Sequence, residues 1–232
     1  MQMIDDEIFS RFTMMLSTSQ VERLFASKII VFGVGGVGGA VAEMLVRSGI
    51  KHLTVVDFDF VDKTNINRQL VANINNIGNL KVEEFKNKMK SISPSANIQV
   101  VSEKLTAENL ELFNLKGYDY IIDCIDDLNA KKALIKYAKL NNINILCAMG
   151  AGNRYKEIPQ FIIEDISNTT YDKIAKILRK FCVQEGIKKL NVCYTKQESI
   201  KTNCKTIGSV IYYPISMACA MCAKVINDLI KE

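Results

Sequence analysis

The chain has 232 residues, 48% of them hydrophobic, and a formal net charge of +5 at pH 7. This length and apolar content suffice for one α/β domain with a full core, and the charge excess is below that of a dedicated nucleic-acid-binding domain. Residues 1–9 carry three acids and no apolar core, so they do not resemble a signal peptide, and no apolar run reaches the ~18 residues of a membrane span. Seven cysteines are then expected to be reduced thiols in a cytoplasmic protein.

Short apolar runs alternate with amphipathic segments through the first 150 residues. Strands and helices that alternate in this way predict right-handed crossovers and a mostly parallel, Rossmann-like α/β sheet flanked by helices. The predicted strands are 28–32, 52–57, 98–102, 118–124 and 143–148. The predicted helices are 37–48, 79–91, 107–113, 129–141 and 215–230.

The last third of the chain has a different pattern. Residues 151–205 are polar and irregular, and they contain one amphipathic helix, predicted at 172–181. Further strands are predicted around 192–194 and 209–213, so that C-terminal antiparallel strands extend the sheet. Because the chain has no linker composition, internal repeat or low-complexity tract, it is predicted to be one domain.

A glycine-rich motif follows the first predicted strand. Gly33 to Gly38 read G-V-G-G-V-G and lead directly into a predicted helix. In this context the glycines allow a tight turn, close approach of a phosphate and close helix packing, and the helix N-terminus favours negative charge. Asp57 ends the next apolar run at an offset of 57 − 33 = 24 residues, close to the ~20 typical of a carboxylate that binds ribose.

The residues after Asp57 favour ATP over NAD or FAD. A second acid, two amides and an arginine follow within twelve residues, including Asp59, Asn65 and Arg68. An arginine fork suits phosphate oxygens, and Lys81, at the start of a predicted helix, adds a point charge. A dinucleotide site does not need this set, whereas a triphosphate does.

Carboxylates also follow the fourth predicted strand, at Asp123, Asp126 and Asp127. Ligands bind at the carboxyl edge of open α/β sheets, and carboxylates there suit Mg²⁺, which bridges protein and phosphates. Asp62, Lys63 and Lys86 are expected to be solvated surface charges.

These motifs together resemble a known superfamily. The order G-x-G-G-V-G, D-x-D, N-x-N-R-Q, a lysine after I-G, and D-x-x-D is similar to that of the adenylate-forming enzymes related to ThiF, MoeB and ubiquitin-activating enzyme. Within it the chain resembles the tRNA threonylcarbamoyladenosine dehydratase (TcdA-like) family. Three stretches carry that likeness: Phe9-Ser10-Arg11, 149–154 (M-G-A-G-N-R) and 164–169 (E-D-I-S-N-T).

The resemblance implies roles by position. The ATP-binding residues would be Gly33, Gly35, Gly36, Gly38, Asp57, Asp59, Asn65, Arg68, Lys81 and Asp126. Asp126 would also be the Mg²⁺ ligand, and the catalytic residues would be Arg11, Arg68, Lys81 and Asp126. Arg11 falls where the superfamily places an arginine that reaches the neighbouring subunit of a homodimer. Residues 1–150 would form the nucleotide-binding part of one adenylate-forming domain, and residues 151–232 the part for substrate and dimer contacts.

The implied function is ATP-dependent dehydration: adenylation of the carboxylate of N6-threonylcarbamoyladenosine in tRNA, followed by cyclisation. The alternative is an adenylyltransferase that activates the C-terminal Gly-Gly of a ubiquitin-like sulfur carrier. A non-catalytic module that binds NAD is disfavoured by Arg68, Lys81 and Asp126. A monovalent cation near the loop after Gly150 and a sulfur-transfer partner protein are further possibilities left open by the resemblance.

The remaining polar residues give weaker indications. The one C-x-x-C spacing, Cys219 to Cys222, lies in an apolar helical run and favours two core thiols over half of a zinc site. Cys193 and Cys204 are expected to be exposed, and His52, at a strand start, to be structural. Five lysines suggest where tRNA would bind: Lys188, Lys189, Lys196, Lys201 and Lys205.

Overall fold

The computed structural model describes residues 2–204 and 206–231, with side chains from residue 7 onward. Within these residues, seven strands form one sheet in the order β3-β2-β1-β4-β5-β7-β6. All neighbouring strands are parallel except β6 and β7, which are antiparallel. The strands are β1 Lys28–Phe32, β2 His52–Val56, β3 Asn97–Val101, β4 Tyr120–Asp123, β5 Asn144–Ala148, β6 Ile162–Asp165 and β7 Asn191–Tyr194. The predicted fold class is thereby confirmed.

Helices cover both faces of the sheet, and two more precede it. They are α1 Gln2–Thr13, α2 Thr18–Ala26, α3 Gly38–Arg47, α4 Lys81–Ile92, α5 Leu128–Leu140, α6 Lys173–Gln184 and α7 Tyr212–Ile230. Ser17 caps α2 and forms a reciprocal pair of hydrogen bonds with Gln20, which fixes where that helix begins.

Alternate residues of the central strands supply two separate hydrophobic layers. Ile29 and Val31 of β1 pack with α3, α4 and α7, whereas Ile30 and Phe32 pack with α5 and α6. This alternation is the period-2 consequence of a pleated strand. No helix among the described residues combines the length and apolar content needed to cross a membrane.

Two predicted elements are wrong. Residues 209–213 form no strand: α7 begins at Tyr212 instead, and Pro214 is accommodated in its first turn, where its missing N–H costs nothing. The β-branched and aromatic run there has strand-like composition, which explains the error. The predicted helix 107–113 is reduced to a short 3₁₀ turn at Leu110–Phe113.

Candidate nucleotide-binding site

The glycine turn is built so tightly that side chains are excluded from it. Gly33 has φ +87°, and a Cβ there would lie 2.8 Å from the carbonyl oxygen of Cys124. A Cβ at Gly38 would lie 1.9 Å from the carbonyl oxygen of Gly33. The turn therefore brings the N-terminus of α3 against the ends of β1 and β4, with the unpaired N–H groups of the first helical turn at the carboxyl edge of the sheet.

Asp57 fastens this turn to the end of β2. One carboxylate oxygen accepts from the Val34 N–H at 2.6 Å and the other from the Asp59 N–H at 2.8 Å. Burial raises the pKa of Asp57, and the two backbone N–H donors oppose that rise. Each oxygen retains a second lone pair, so a ribose hydroxyl can still donate to it.

The two cations predicted to bind phosphate are held in place by local contacts. Lys81, the first residue of α4, is buried and its ammonium lies 2.8 Å from an Asp59 oxygen. The Arg68 guanidinium donates to the Thr64 carbonyl at 2.7 Å and to the Asn67 amide oxygen at 3.0 Å. Both cations are thus oriented before any phosphate arrives, which reduces the entropic cost of binding it.

Asn65 has a structural role in addition to its predicted one. It is buried, and its amide oxygen accepts from the Asp62 N–H at 3.1 Å, closing a capping box around the 3₁₀ turn Lys63–Asn65. That turn carries Arg68 towards the site. Asp62 and Lys63 are exposed, as predicted.

These residues surround a pocket of about 420 Å³ at the carboxyl edge of the sheet. The predicted residues that line it are Gly33, Gly35, Asp57, Asp59, Asn65, Arg68, Lys81 and Asp126. Gly36 and Gly38 are not part of the lining. Gly36 instead packs against the Arg68 carbonyl and Pro214, and Gly38 makes the close turn described above.

Sequence reasoning missed part of the pocket wall. The Lys104 ammonium lies 5.6 Å from the centre of the Phe58 ring, and both residues line the pocket. Lys104 follows the end of β3, so the rule that ligands bind at the carboxyl edge could have found it. Gln69 is also buried in the wall, and its Oε1 makes no hydrogen bond within the described residues. A buried acceptor of this kind is costly unless a ligand donates to it.

A fully buried ion pair supports the turn that carries Asp126. The Asp123 carboxylate and the Lys131 ammonium are 2.8 Å apart and completely buried. Asp123 also accepts from the Ile125 N–H at 3.1 Å, and Lys131 donates to the Ala148 carbonyl at 3.2 Å. Burial disfavours the charged ammonium, but the Asp123 carboxylate together with the nearby Cys147 and Cys124 outweighs it, and the pKa of Lys131 is raised. Asp126 itself is exposed at the pocket mouth.

No group of three or more His, Cys, Asp or Glu side chains that could hold a metal occurs in the part of the chain that the structure describes.

The loop after β5 is fixed by two buried side chains. The Arg154 guanidinium donates to the carbonyl oxygens of Gly150 and Gly152, both at 3.1 Å. Asp172 accepts from the Gly150 N–H at 3.1 Å and from the Ala175 N–H at 2.8 Å, which caps α6. The loop is therefore held rigidly at the same edge of the sheet as the pocket.

Arg11 is not brought into this pocket. It is exposed in the last turn of α1 and is not among the lining residues.

The structure also corrects two predictions about cysteines. Cys193 is buried, and burial raises its pKa to about 12, so its prediction as exposed was wrong, whereas Cys204 is exposed. Cys222 packs in the core, but Cys219 is exposed rather than a core thiol. Hydrophobic residues flank Cys219 in sequence, and only the position on the helix decides its exposure.

Fold and pocket define an α/β protein that binds a nucleotide at the carboxyl ends of parallel strands. The chain belongs to the ThiF family, whose model matches residues 9–230. The resemblance stated from the sequence is thereby confirmed.

Several relatives carry the name of one enzyme, and more distant ones are molybdopterin-synthase adenylyltransferases, such as that of Haemophilus influenzae at 29% identity over 169 residues, which covers 72% of this chain and 68% of that protein. The chain is 41% identical over 162 residues to a tRNA threonylcarbamoyladenosine dehydratase of Haemophilus influenzae, covering 68% of this chain and 62% of that protein. It is 39% identical over 181 residues to the Bacillus subtilis protein of the same name, covering 78% of this chain and 71% of that one. The match thus spans somewhat under two thirds of the first relative's length.

A solved structure has the same fold over nearly the whole chain. The crystal structure of the Escherichia coli tRNA N6-threonylcarbamoyladenosine dehydratase in complex with ATP matches with a TM-score of 0.90 and 26% sequence identity. The match covers 97% of this chain and 94% of that one.

Proposed function

We propose that this protein is an ATP-dependent dehydratase that adenylates the carboxylate of N6-threonylcarbamoyladenosine in tRNA and then cyclises that group. The observation that carries the proposal is the combination of a tight glycine turn with Lys81 and Arg68 in one pocket, in a chain whose relatives bear that enzyme's name. In this proposal residues 1–150 bind the nucleotide and residues 151–232 contact the substrate and a second subunit.

The pocket residues fit ATP. Gly35 lines the cavity and a Cβ there would meet only the Gln69 Nε2 at 4.0 Å, so its missing side chain leaves open space. The buried Gln69 oxygen lacks a donor within the described residues, and two oriented cations face the same cavity. Asp57 would accept from the ribose, Asn65 would contact the phosphates, and the ion pair between Lys81 and Asp59 would open or be shared when phosphate binds.

The chemistry follows from the poor reactivity of a carboxylate as an acyl donor. An oxygen of the substrate carboxylate attacks the α-phosphorus of ATP, pyrophosphate leaves, and the carbonyl carbon becomes linked to AMP. A nitrogen of the same group then attacks that carbon, the ring closes and AMP departs with the carboxylate oxygen. Arg68 and Lys81 would neutralise charge on the phosphates while the pocket positions the reactants.

Asp126 would ligate Mg²⁺, which would supply further charge neutralisation at the phosphates. A monovalent cation at the loop after Gly150 stays a prediction. The carbonyl oxygens of Gly150 and Gly152 already accept from the Arg154 guanidinium, whose positive charge would repel a cation bound at the same oxygens.

A homodimer with shared sites is part of the proposal, and it rests on Arg11. Because Arg11 is exposed and outside the pocket of its own chain, it is available to a neighbouring subunit. Arg11→Ala should abolish turnover without changing the oligomeric state. Mixing Arg11→Ala with Arg68→Ala subunits should restore roughly a quarter of the activity, because half of the dimers then hold one intact site. The absence of complementation would overturn the shared site.

The experiment that tests the function is incubation with ATP, Mg²⁺ and tRNA that carries N6-threonylcarbamoyladenosine, followed by mass spectrometry of the nucleosides. We expect the loss of one water, dependent on ATP, and no loss with Arg68→Ala. Release of pyrophosphate with a Gly-Gly carrier protein, together with unchanged tRNA, would contradict the proposal and favour the adenylyltransferase. A sulfur-transfer partner protein would be expected only in that second case.

A further inference from the structure

Two neighbouring helices on one face of the sheet carry lysine and arginine but no acidic residue. These are α5 and α6, which both pack on the layer that contains Ile30 and Phe32. Six exposed lysines on or just after these helices define what we call the lysine face: Lys136, Lys173, Lys176, Lys180, Lys188 and Lys189.

The two helices lie side by side, so their charges form one surface. The Lys132 ammonium of α5 lies 5.8 Å from the centre of the Phe181 ring of α6, and Lys136 forms an ion pair with Glu185 at 2.7 Å. Burial lowers the pKa of Lys139, and the nearby Lys189 shifts it in the same direction.

Most of these charges have no counter-charge. Within residues 2–204 and 206–231, no carboxylate lies within ion-pair distance of Lys173, Lys176, Lys180 or Lys188. Lys176 and Lys180 are one helical turn apart, where like charges repel and weaken the helix. The arginine of α6, Arg179, is half-buried and donates to the Thr169 carbonyl.

The opposite helix layer is different, because there acids accompany the cations. Glu43 of α3 accepts from Arg47 at 2.9 Å and pairs with Lys88 of α4 at 2.7 Å, and Lys224 pairs with Asp228 on α7. Lys86 and Lys90 of α4 also lack an ion-pair partner within the described residues, but their helix carries Glu83 and Glu84 as well, whereas α5 and α6 carry no acid.

The two helices that carry the lysine face begin at the carboxyl edge of the sheet, where the pocket also lies. Asp127, which caps α5, lines the pocket, and Asp172, which caps α6, holds the Gly150 N–H of the adjoining loop. From there α6 runs away from the pocket over about 18 Å, given a rise of 1.5 Å per residue.

We propose that the lysine face binds the phosphate backbone of the tRNA whose modified nucleoside enters the pocket. The inference rests on the proposed function for the identity of the polyanion, and on the structure for its position. Lysine ammonium groups on flexible stems suit contacts with phosphates that carry no sequence information, so the face orients the RNA and the pocket selects the nucleoside.

The test compares two pairs of lysines with identical spacing. Lys176→Gln with Lys180→Gln removes two charges from the lysine face. Lys86→Gln with Lys90→Gln removes two charges, also four residues apart, from α4 in the opposite layer. Neither pair belongs to the pocket, and calorimetric ATP binding and thermal unfolding should match the wild type in both variants.

The readout would be the affinity for fluorescent tRNA carrying N6-threonylcarbamoyladenosine, obtained from its anisotropy over a range of salt concentrations. The Lys176/Lys180 variant should bind about tenfold more weakly at low salt, with the slope of log K against log[salt] reduced by about 2, because each lysine lost releases about one counterion fewer. The Lys86/Lys90 variant should bind like the wild type. An equal loss in both variants, or no loss in the first, would overturn the proposal.

Turnover separates this inference from the proposed function. If the wild type converts tRNA and the Lys176/Lys180 variant has an unchanged KM for tRNA, the lysine face does not bind tRNA, whereas the proposed dehydratase function is retained. If the wild type binds tRNA through the lysine face but never removes water from it, the proposed dehydratase function is wrong, whereas the binding role of the lysine face is retained.

Discussion

Positive charge occurs in two forms in this protein, one in the pocket and one on the lysine face. In the pocket, Lys81 is buried against Asp59 and Arg68 is held by two oxygen acceptors. On the lysine face, side chains such as Lys176 and Lys180 are exposed and have no carboxylate partner within the described chain.

The difference matches the two tasks that the proposed reaction sets. Charge that stabilises a reacting phosphate has to be fixed in place beforehand, because reorganisation during the reaction would add to the barrier. Charge that binds a large polyanion contributes through the number of charged side chains, and its effect is screened by salt.

The largest effect is expected in the pocket. Lys81→Ala or Arg68→Ala should reduce kcat by on the order of 100- to 1000-fold, because each removes a preorganised charge at the phosphates. tRNA affinity should remain within about twofold, since neither belongs to the lysine face. Steady-state kinetics and tRNA anisotropy measure the two effects, with the exposed Lys63→Ala as the control. A pocket variant that lost tRNA affinity and kept its kcat would show that the pocket and the lysine face do not have separate roles.

The second-largest effect is expected on the free energy of unfolding, from the buried ion pair between Asp123 and Lys131 beneath the pocket. Lys131→Met leaves the Asp123 carboxylate buried without its partner, which should cost about 3–5 kcal/mol of the free energy of unfolding. Adding Asp123→Asn removes the orphaned charge and should recover part of that loss. Urea unfolding of both variants measures this, and a loss below about 1 kcal/mol for Lys131→Met would contradict the electrostatic account.

Salt should change the KM values for the two substrates, tRNA and ATP, to different extents. For the wild type, KM for tRNA should rise steeply between 50 and 200 mM salt, by about tenfold or more, while KM for ATP changes by less than about twofold. The reason is that many phosphate contacts on an exposed surface release counterions, whereas the pocket offers two cations, of which Lys81 is already paired with Asp59. Initial rates at varied salt measure both constants, and parallel changes in the two would count against separate sites.

The smallest effect is expected at the loop between the two regions. Asp172→Ala removes the cap of α6 and the acceptor of the Gly150 N–H, and should cost about 1 kcal/mol of stability. Asp172→Asn should retain the cap and most of the stability. Thermal unfolding compares the two variants, and equal losses would show that the cap does not hold this loop.

Much of the nucleotide-binding half could be predicted from the sequence. Strand β1 has the predicted bounds 28–32, because its apolar run is buried on both faces and ends at a glycine turn. The motif also indicated most of the pocket lining, since residues at the carboxyl ends of parallel strands converge whatever the details of the side chains.

The later part of the chain was less predictable, for physical reasons. β6 has a short, half-buried sequence without clear alternation, so no strand was predicted at Ile162–Asp165. The apolar run at 209–213 has strand composition but starts a helix, because packing of α7 against α3 overrides local propensity.

The five lysines that the sequence suggests for tRNA contact lie in different parts of the structure. Lys188 and Lys189 belong to the lysine face, whereas Lys196 and Lys201 are exposed in the segment after β7. Lys205 lies outside the described residues. The sequence does not indicate that the charges of α5 and α6 share one surface, because only the fold places these two helices side by side.

Isotope transfer tests the central claim most directly. The substrate carboxylate is labelled with oxygen-18 in the threonylcarbamoyl group of tRNA, and AMP is analysed by mass spectrometry after a single turnover with ATP and Mg²⁺. If the carboxylate attacks the α-phosphorus and AMP leaves on ring closure, the AMP carries one labelled oxygen. Unlabelled AMP, or label in orthophosphate, would contradict activation through the adenylate.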